Sequence, residues 1–190
     1  VEACDPAWED PSPRAGRFRS LEEVEELDAY DVILVSVPLG QTAEVLARTV
    51  QRRPRGLVVE IASIKAHLSE TLAAATEAGV RVASLHPMFG PAKARYEPMT
   101  FVLACRDDFD AELAGIEPLL RHPYTKLVPV PFDHHDRLMG WLLGLAHLTG
   151  MLFGAALAAS DLEASELRAC ASTTFLRQAA TARSVLAEDP

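Results

Sequence analysis

Along the first 130 positions, apolar residues fall into short runs separated by polar or periodic segments. The run at 31–37, Asp-Val-Ile-Leu-Val-Ser-Val, is rich in β-branched residues and predicts a strand buried on both faces. Comparable runs predict further strands at 56–61, 80–85, 100–104 and 126–130. Apolar positions at helical spacing predict helices at 41–51, 66–78 and 109–120.

Strands that alternate with helices indicate an α/β domain with a doubly wound parallel sheet and right-handed crossovers. Residues 1–5 resemble the end of a strand, and Ser20-Leu-Glu-Glu predicts a capping box that opens a short acidic helix. A dinucleotide-binding fold opens with a strand and a Gly-x-Gly-x-x-Gly turn, which these residues do not contain. We therefore expect a Rossmann-like sheet whose first strand and Gly-rich loop lie outside the sequence.

The pattern changes after residue 131, where strand-like runs stop and residues 133–159 and 161–187 predict helices. We expect a Rossmann-like domain over 1–131 and an incomplete all-α dimerisation domain over 132–190. Residues 138–159 carry no charge and are long enough to span a bilayer. Because this segment holds His147, Thr149 and four glycines and follows an α/β pattern, we expect it to be buried in a homodimer interface rather than in a membrane.

Charge and cysteine usage exclude several classes of protein. The chain has 18 basic and 27 acidic residues and a net charge of −9, which disfavours nucleic-acid binding. The three cysteines are far apart, and no Cys/His spacing suits a metal. We therefore expect free thiols, no bound metal and a cytoplasmic location.

Polar residues follow the predicted strands at the edge where open α/β sheets bind ligands. Asp5, at the end of the presumed second strand, is a candidate for hydrogen bonds to the ribose hydroxyls of NAD, and a turn Asp before Pro6 is an equally good explanation. Ser36-Val37-Pro38 ends the strand at 31–37 and is a candidate cofactor edge, although a plain strand terminator would look the same.

A serine and a histidine follow the next two strands. Ser63 and Lys65 lie just past the strand at 56–61, and His86 follows the strand at 80–85. A serine that hydrogen-bonds the histidine could fix its tautomer, and such a histidine is suited to proton transfer near neutral pH. A His-Pro pair on its own is more often a turn than a catalytic site.

Four motifs occur in order: Asp31-Val-Ile-Leu-Val-Ser-Val-Pro38, Ala62-Ser-Ile-Lys65, His86-Pro-Met-Phe-Gly-Pro91 and His134-His-Asp-Arg-Leu-Met139. Together they resemble prephenate dehydrogenases of the bacterial tyrosine pathway. The resemblance implies oxidation of prephenate, a cyclohexadienyl substrate, by NAD or possibly NADP, with loss of carbon dioxide to give 4-hydroxyphenylpyruvate. It implies that His86 removes the proton of the ring hydroxyl and that Ser63 orients His86 and contacts the cofactor.

The resemblance also implies substrate-binding residues, and here the sequence departs from the family. Lys65 and His147 are expected to line the substrate pocket, although a satisfied buried histidine would also explain His147. The family places a carboxylate-binding Arg where this chain has Ser184, and Arg183 is one residue earlier. One residue rotates a helical position by about 100°. Either the helix register adjusts so that Arg183 serves, or Arg177 serves, or the substrate differs.

Two alternatives remain open on the sequence alone. The same chemistry could act on arogenate or 4-amino-4-deoxyprephenate in specialised metabolism, or the protein could be a non-catalytic dimeric relative. Without a Gly-rich turn the pyrophosphate of a dinucleotide loses its backbone N–H partners. We therefore expect residues 1–190 alone to bind dinucleotide poorly and to expose an open sheet edge.

Overall fold

The computed structural model describes residues 3–5, 17–90, 94 and 96–187 of the chain. The chain forms two compact units, Val1–His135 and Asp136–Pro190. The domain boundary was predicted at residue 131, which is the end of the strand Thr125–Pro131. The division between the two units lies four residues later, between His135 and Asp136.

The first unit is an α/β unit. Its strands are β1 (Ala3–Cys4), β2 (Arg17–Phe18), β3 (Val32–Val35), β4 (Leu57–Glu60), β5 (Val82–Pro87), β6 (Met99–Cys105) and β7 (Thr125–Pro131). Its helices are α1 (Leu39–Gln51), α2 (Ser69–Glu77) and α3 (Phe109–Ile116). Strands β3 to β7 form a five-stranded sheet in chain order, and β1 and β2 form a separate parallel pair. Helices that flank a largely parallel sheet confirm the predicted Rossmann-like α/β class.

Strand direction is the main difference from the prediction of a wholly parallel sheet. β3, β4 and β5 are parallel, and so are β6 and β7, but β6 runs antiparallel to β5. The connection between β5 and β6 covers only residues 88–98, which is shorter than the dozen or more residues that a parallel crossover needs. The chain therefore turns back, and the sheet is mixed.

Alternation along the central strands builds a core on both faces of the sheet. Val58 belongs to one buried cluster with Leu46 of α1 and Leu72 of α2, whereas Val59 belongs to a second cluster with Ile116 of α3. Successive strand residues point to opposite faces, so the two neighbouring valines anchor helices on opposite sides. Burying each of these leucines stabilises the fold by about 1.5–3 kcal/mol before entropy is counted.

β3 lies at one edge of the five-stranded sheet. In the described part of the chain β3 pairs only with β4, and the side chains of Val32 and Leu34 are 36% and 58% exposed. The predicted open edge therefore stays a prediction, and among the described residues the exposed apolar side chains of β3 are the observation that agrees with it.

The predicted capping box at Ser20 was wrong. Residues Leu21–Glu23 form a single 3₁₀ turn, and the Ser20 side chain makes no capping hydrogen bond. The Glu23 carboxylate accepts a hydrogen bond from the backbone N–H of Arg19 at 2.8 Å, one residue before the expected position. A short acidic segment without a buried face has little to propagate it into an α-helix.

A helical segment follows β7 directly in the chain. It comprises α4 (Phe132–Met139), a π-helical turn (Gly140–Gly144) and α5 (Leu145–Ala158). Two further helices follow, α6 (Ala164–Ala169) and α7 (Thr173–Ala187), so the helix predicted over 161–187 is interrupted. α5 packs on α7 where Gly150 faces Ala182 and Val185.

The segment Phe132–Ala158 is long and apolar enough to cross a bilayer, with a mean hydropathy of 1.6 over 18 residues. Length and composition are weak indications, because helices that are buried in soluble proteins or in their interfaces pass the same test. Large apolar side chains on it are solvent-exposed in the single chain, including Trp141 (70%) and Leu152 (62%). The predicted burial of residues 138–159 is therefore not achieved within the single chain.

Candidate active site

The carboxyl ends of β3, β4 and β5 form one edge of the sheet. Their register places Val35, Glu60 and Ser84 side by side. Because the three strands are parallel, residues just beyond this row share the same edge, and these are the predicted site segments at 36–38, 62–65 and 86. The structure thus brings Ser36-Val37-Pro38, the turn with Ser63 and Lys65, and His86 to one border of the sheet, and Asp5 follows a separate strand pair.

A buried ionic network lies directly beneath that edge. The Glu60 carboxylate accepts hydrogen bonds from the Lys65 ammonium at 2.7 Å, from the backbone N–H of Ala62 at 2.8 Å, and from the Ser84 hydroxyl. Lys65 also donates to the carbonyl of Leu85 at 3.0 Å. Glu60 and Lys65 are completely buried. The network ties the turn after β4 to the strand residue that precedes His86.

The position of Lys65 corrects its predicted role as a substrate ligand. Its side chain has no exposed surface and spends two donors on Glu60 and Leu85. A buried ammonium needs such partners, because an unpaired charge in the interior is strongly destabilising. In this arrangement Lys65 supports the site from below and offers no surface to a ligand.

His86 lies inside β5 rather than after it, because antiparallel pairing with Val102 of β6 extends the strand through Pro87. The His86 side chain is only 5% exposed. Its Nδ1 lies 3.1 Å from Nε2 of His135, which belongs to the first turn of α4 and is fully buried. The two rings are tilted by 50° with centroids 5.2 Å apart, so the contact is an in-plane hydrogen bond rather than a stack.

Ser63 occupies a different position from the one expected of a partner for His86. Its side chain is exposed in the turn after β4, and within the described chain the hydrogen bond found for His86 Nδ1 is to His135, not to Ser63. The orienting and cofactor-contacting roles of Ser63 therefore stay predictions.

The candidate cofactor residues lie open to solvent. Ser36 and Pro38 are exposed and Val37 is half-buried against the core, immediately before α1. Asp5 is exposed, with its backbone N–H donating to the carbonyl of Phe18 at 3.0 Å. Ser36, Val37 and Pro38 follow the carboxyl end of β3, where ligands of open α/β sheets bind, whereas Asp5 follows the separate β1–β2 pair.

The remaining predicted residues lie in the second unit. His147 is half-buried on α5. On α7, Ala182 is the buried position that faces α5, and Arg177, Arg183 and Ser184 are all exposed. Arg183 and Arg177 therefore both present guanidinium groups that are accessible to a carboxylate.

Sequence reasoning missed three residues that shape this site: Glu60, Ser84 and His135. Glu60 and Ser84 interrupt apolar strand runs, and a polar residue inside such a run is a signal of an internal hydrogen bond. His135 lies in the His134-His135-Asp136 motif, which carried the resemblance but gave no indication of which strand it would contact.

A surface cleft of about 310 Å³ lies at the opposite edge of the sheet. It is lined by residues at the amino ends of β3, β4 and β5, among them Asp31, Arg55 and Arg81. None of the predicted site residues lines it, and ligands of open α/β sheets bind at the other edge. The edge that holds His86 is therefore the better candidate for the active site.

The chain is similar to known proteins in sequence and in fold. The family described as "Prephenate dehydrogenase, nucleotide-binding domain" matches residues 15–113, just over half of the chain. A probable arogenate/prephenate dehydrogenase of Methanocaldococcus jannaschii is 27% identical over 155 residues, covering 80% of this chain and 35% of that protein.

Two solved structures share the fold. One is prephenate dehydrogenase from A. aeolicus in complex with hydroxyphenyl propionate and NAD+, with a TM-score of 0.66 and 17% sequence identity. The match covers 90% of this chain and 64% of the A. aeolicus chain. Synechocystis arogenate dehydrogenase has a TM-score of 0.61 and 20% identity, over 86% and 61%. This chain thus spans about a third of its archaeal relative and under two thirds of each structure. On the family match and the shared fold, the chain belongs to the prephenate dehydrogenase family.

Proposed function

We propose that the protein is a dehydrogenase that oxidises prephenate with a nicotinamide dinucleotide, releasing carbon dioxide and 4-hydroxyphenylpyruvate. The observation that supports this most is the placement of His86. It is an imidazole buried at the carboxyl edge of parallel strands, the same edge that carries the turn at Ser36-Val37-Pro38. Buried histidines with a fixed hydrogen-bond partner are suited to proton transfer.

The turn at Ser36-Val37-Pro38 fits a nicotinamide dinucleotide. It is exposed, it follows a parallel strand, and it leads directly into the first turn of α1, whose amide groups favour negative charge. Asp5 would accept hydrogen bonds from ribose hydroxyls and would repel a 2′-phosphate, which favours NAD over NADP. When bound, the dinucleotide supplies the hydride acceptor that the side chains of this protein lack.

In this proposal His86 acts as the general base. It accepts the proton of the substrate's ring hydroxyl while that carbon is oxidised to a carbonyl. Loss of the ring carboxylate as carbon dioxide then returns its electron pair to the ring, which becomes an aromatic phenolate. The phenolate oxygen takes a proton back, and protonated His86 can supply it. Burial of His86 keeps bulk water from competing for the proton.

Arogenate remains the alternative substrate, and the departure from the family pattern that keeps the choice open is on α7. Ser184 stands where the family resemblance expects a carboxylate-binding Arg, and Arg183 and Arg177 are exposed nearby. A guanidinium holds a carboxylate with two directional bonds that a hydroxyl cannot replace. The Ser184 departure therefore leaves the choice between prephenate and arogenate to the assay.

The test is an assay of full-length protein for nicotinamide reduction with prephenate and with arogenate in parallel. We expect reduction with prephenate, and kcat lowered about 10²–10⁴-fold by His86→Asn while KM changes less. Exclusive use of arogenate would replace the substrate, and inactivity with both would contradict the function. Normal turnover of His86→Asn would show that another group is the base.

We also propose that two copies associate through the apolar surface of Phe132–Ala158. The support is the exposure of its large side chains in the single chain together with the uncharged sequence of 138–159. Obligate dimer interfaces resemble a protein core cut in half, which is the composition found here.

A further inference from the structure

We propose that His135 is a positioning residue for His86. It holds the His86 ring with the proton on Nδ1 and thereby makes Nε2 the basic nitrogen that meets the substrate. The inference rests on the proposed function of His86 as proton acceptor. The juxtaposition that supports it is the 3.1 Å contact between Nδ1 of His86 and Nε2 of His135.

The contact allows two proton arrangements when both rings are neutral, because one nitrogen donates and the other accepts. If His135 donated, His86 would carry its own proton on Nε2 and could not act as a base there. If His86 donates from Nδ1, its Nε2 has a lone pair for the substrate proton. Only the second arrangement is compatible with catalysis by His86.

The second arrangement also gains strength during the reaction. Once His86 has accepted a proton, its ring is a cation, and the Nδ1–H donates to the neutral Nε2 of His135 as a charge-assisted bond. Such bonds are roughly twice as strong as neutral ones. Because His135 is completely buried and His86 nearly so, water does not weaken the contact.

Helical geometry explains why His135 reaches the sheet. Phe132 packs against the core cluster of α1, α2, β3 and β4, and the Arg106 guanidinium carbon lies 5.9 Å from the centre of the Phe132 ring. Residues three apart share a helix face, so anchoring Phe132 on the core turns His135 inward. The neighbouring His134 is exposed.

The first measurement is the tautomer of His86, by ¹⁵N NMR of full-length protein with labelled histidine, assigned by the signal that His86→Asn removes. We expect the proton on Nδ1 in the native protein. In His135→Phe we expect the Nε2–H form to become populated. A resting His86 protonated on Nε2 in the native protein would overturn the inference.

The second measurement is steady-state kinetics of matched variants. His135→Gln keeps an acceptor oxygen near the position of Nε2 and should retain kcat within about threefold. His135→Phe should lower kcat about tenfold or more with KM nearly unchanged, within the roughly 10²–10⁴-fold that general-base catalysis contributes. His134→Phe, the same change at the exposed neighbour, should leave kcat unaltered. Equal losses in His135→Gln and His135→Phe would assign His135 a packing role and overturn the inference.

The two measurements separate this inference from the function on which it rests. If native protein reduces no dinucleotide with either substrate, but His135→Phe still shifts the His86 tautomer, then the proposed function fails and the positioning contact stands. If the enzyme is active and His135→Phe changes neither tautomer nor kcat, the positioning role fails and the function stands.

Discussion

At the scale of single residues, a fully buried ion pair between Glu60 and Lys65 lies beneath the candidate site. Glu60 and Lys65 satisfy each other and also bind Ser84, Ala62 and Leu85. A buried ion pair of this kind adds little net stability compared with apolar residues, but removal of one partner leaves an uncompensated charge. The ion pair instead fixes the position of the turn after β4 relative to β5, because Lys65 also bonds the Leu85 carbonyl.

Replacing Lys65 by Met should therefore lower the free energy of unfolding by about 3–5 kcal/mol, because the Glu60 carboxylate loses its counter-charge. The double variant Glu60→Gln/Lys65→Met should recover a large part of that loss. Urea denaturation of the two single variants and the double variant measures the coupling. The control is Arg55→Ala, which removes an exposed ion pair with Asp28 and should change stability little. A loss below about 1 kcal/mol for Lys65→Met would contradict a buried charged pair.

Cys105 gives a second prediction at this scale. Burial, and secondarily the nearby Glu112 carboxylate, raises the pKa of its thiol from 9.0 to about 12. The folded protein therefore keeps the thiol proton at pH values where the unfolded chain loses it, so stability falls as pH rises from about 9 to about 12. The midpoint of urea unfolding should drop more between pH 8 and pH 10.5 in native protein than in Cys105→Ala.

Thiol accessibility gives an independent check on the burial of Cys105. The exposed Cys4 and Cys170 should react with a thiol reagent at pH 8, and Cys105 should react only after unfolding. Rapid modification of Cys105 in folded protein would show that the thiol is accessible.

At the scale of elements, close helix packing in the second unit depends on small residues. A methyl group added at Gly150 of α5 would lie 3.4 Å from Val185 Cγ2 and 3.5 Å from the Ala182 Cα of α7, which is ordinary contact. Anything larger would push the two helices apart. Gly150 therefore sets how near α7 can approach, although it does not need the conformational freedom of glycine.

Gly150→Ala should stabilise the protein by about 0.5–1 kcal/mol, because alanine costs less backbone entropy in a helix interior and its methyl fits. Gly150→Leu should destabilise it, with a lower melting temperature by circular dichroism. The matched control is Gly115 of α3, beside which nothing lies within 4 Å, so both substitutions should be tolerated there. A Gly150→Leu variant as stable as Gly115→Leu would mean that α5 and α7 are not tightly packed.

At the scale of the whole molecule, large apolar side chains of the helical segment Phe132–Ala158 are exposed in the single chain. Leu145, Leu148 and Leu152 lie at helical spacing along α5, and each is about half exposed or more. Contiguous apolar patches of this kind mark interaction surfaces. A second copy of the same chain would cover them symmetrically.

Full-length protein should therefore be a dimer by light scattering at micromolar concentration, and Leu148→Arg should convert it largely to monomer. The physical reason is that a charge placed in an apolar interface cannot be solvated. Leu119→Arg alters a comparably exposed leucine in the first unit and should leave the dimer intact. A native monomer, or protein that partitions into lipid vesicles, would contradict the dimer proposal.

The sequence by itself determined the secondary structure of most of the first unit and the edge where its polar residues meet. Runs such as 31–37 and the periodic segments between them are local properties, encoded in the side chains that each segment must bury. His86 and Ser63 could be assigned to one edge because the carboxyl ends of parallel strands coincide.

Only the tertiary structure decided the direction of β6, the burial of Lys65 and the partner of His86. His135 is 49 positions from His86 in the chain, and their contact exists because α4 folds back from the end of β7 onto the core. No local pattern encodes such a meeting. It depends on how the register of the sheet and the anchoring of Phe132 place two distant segments in space, and those are set by packing of the whole unit rather than by any one stretch of sequence.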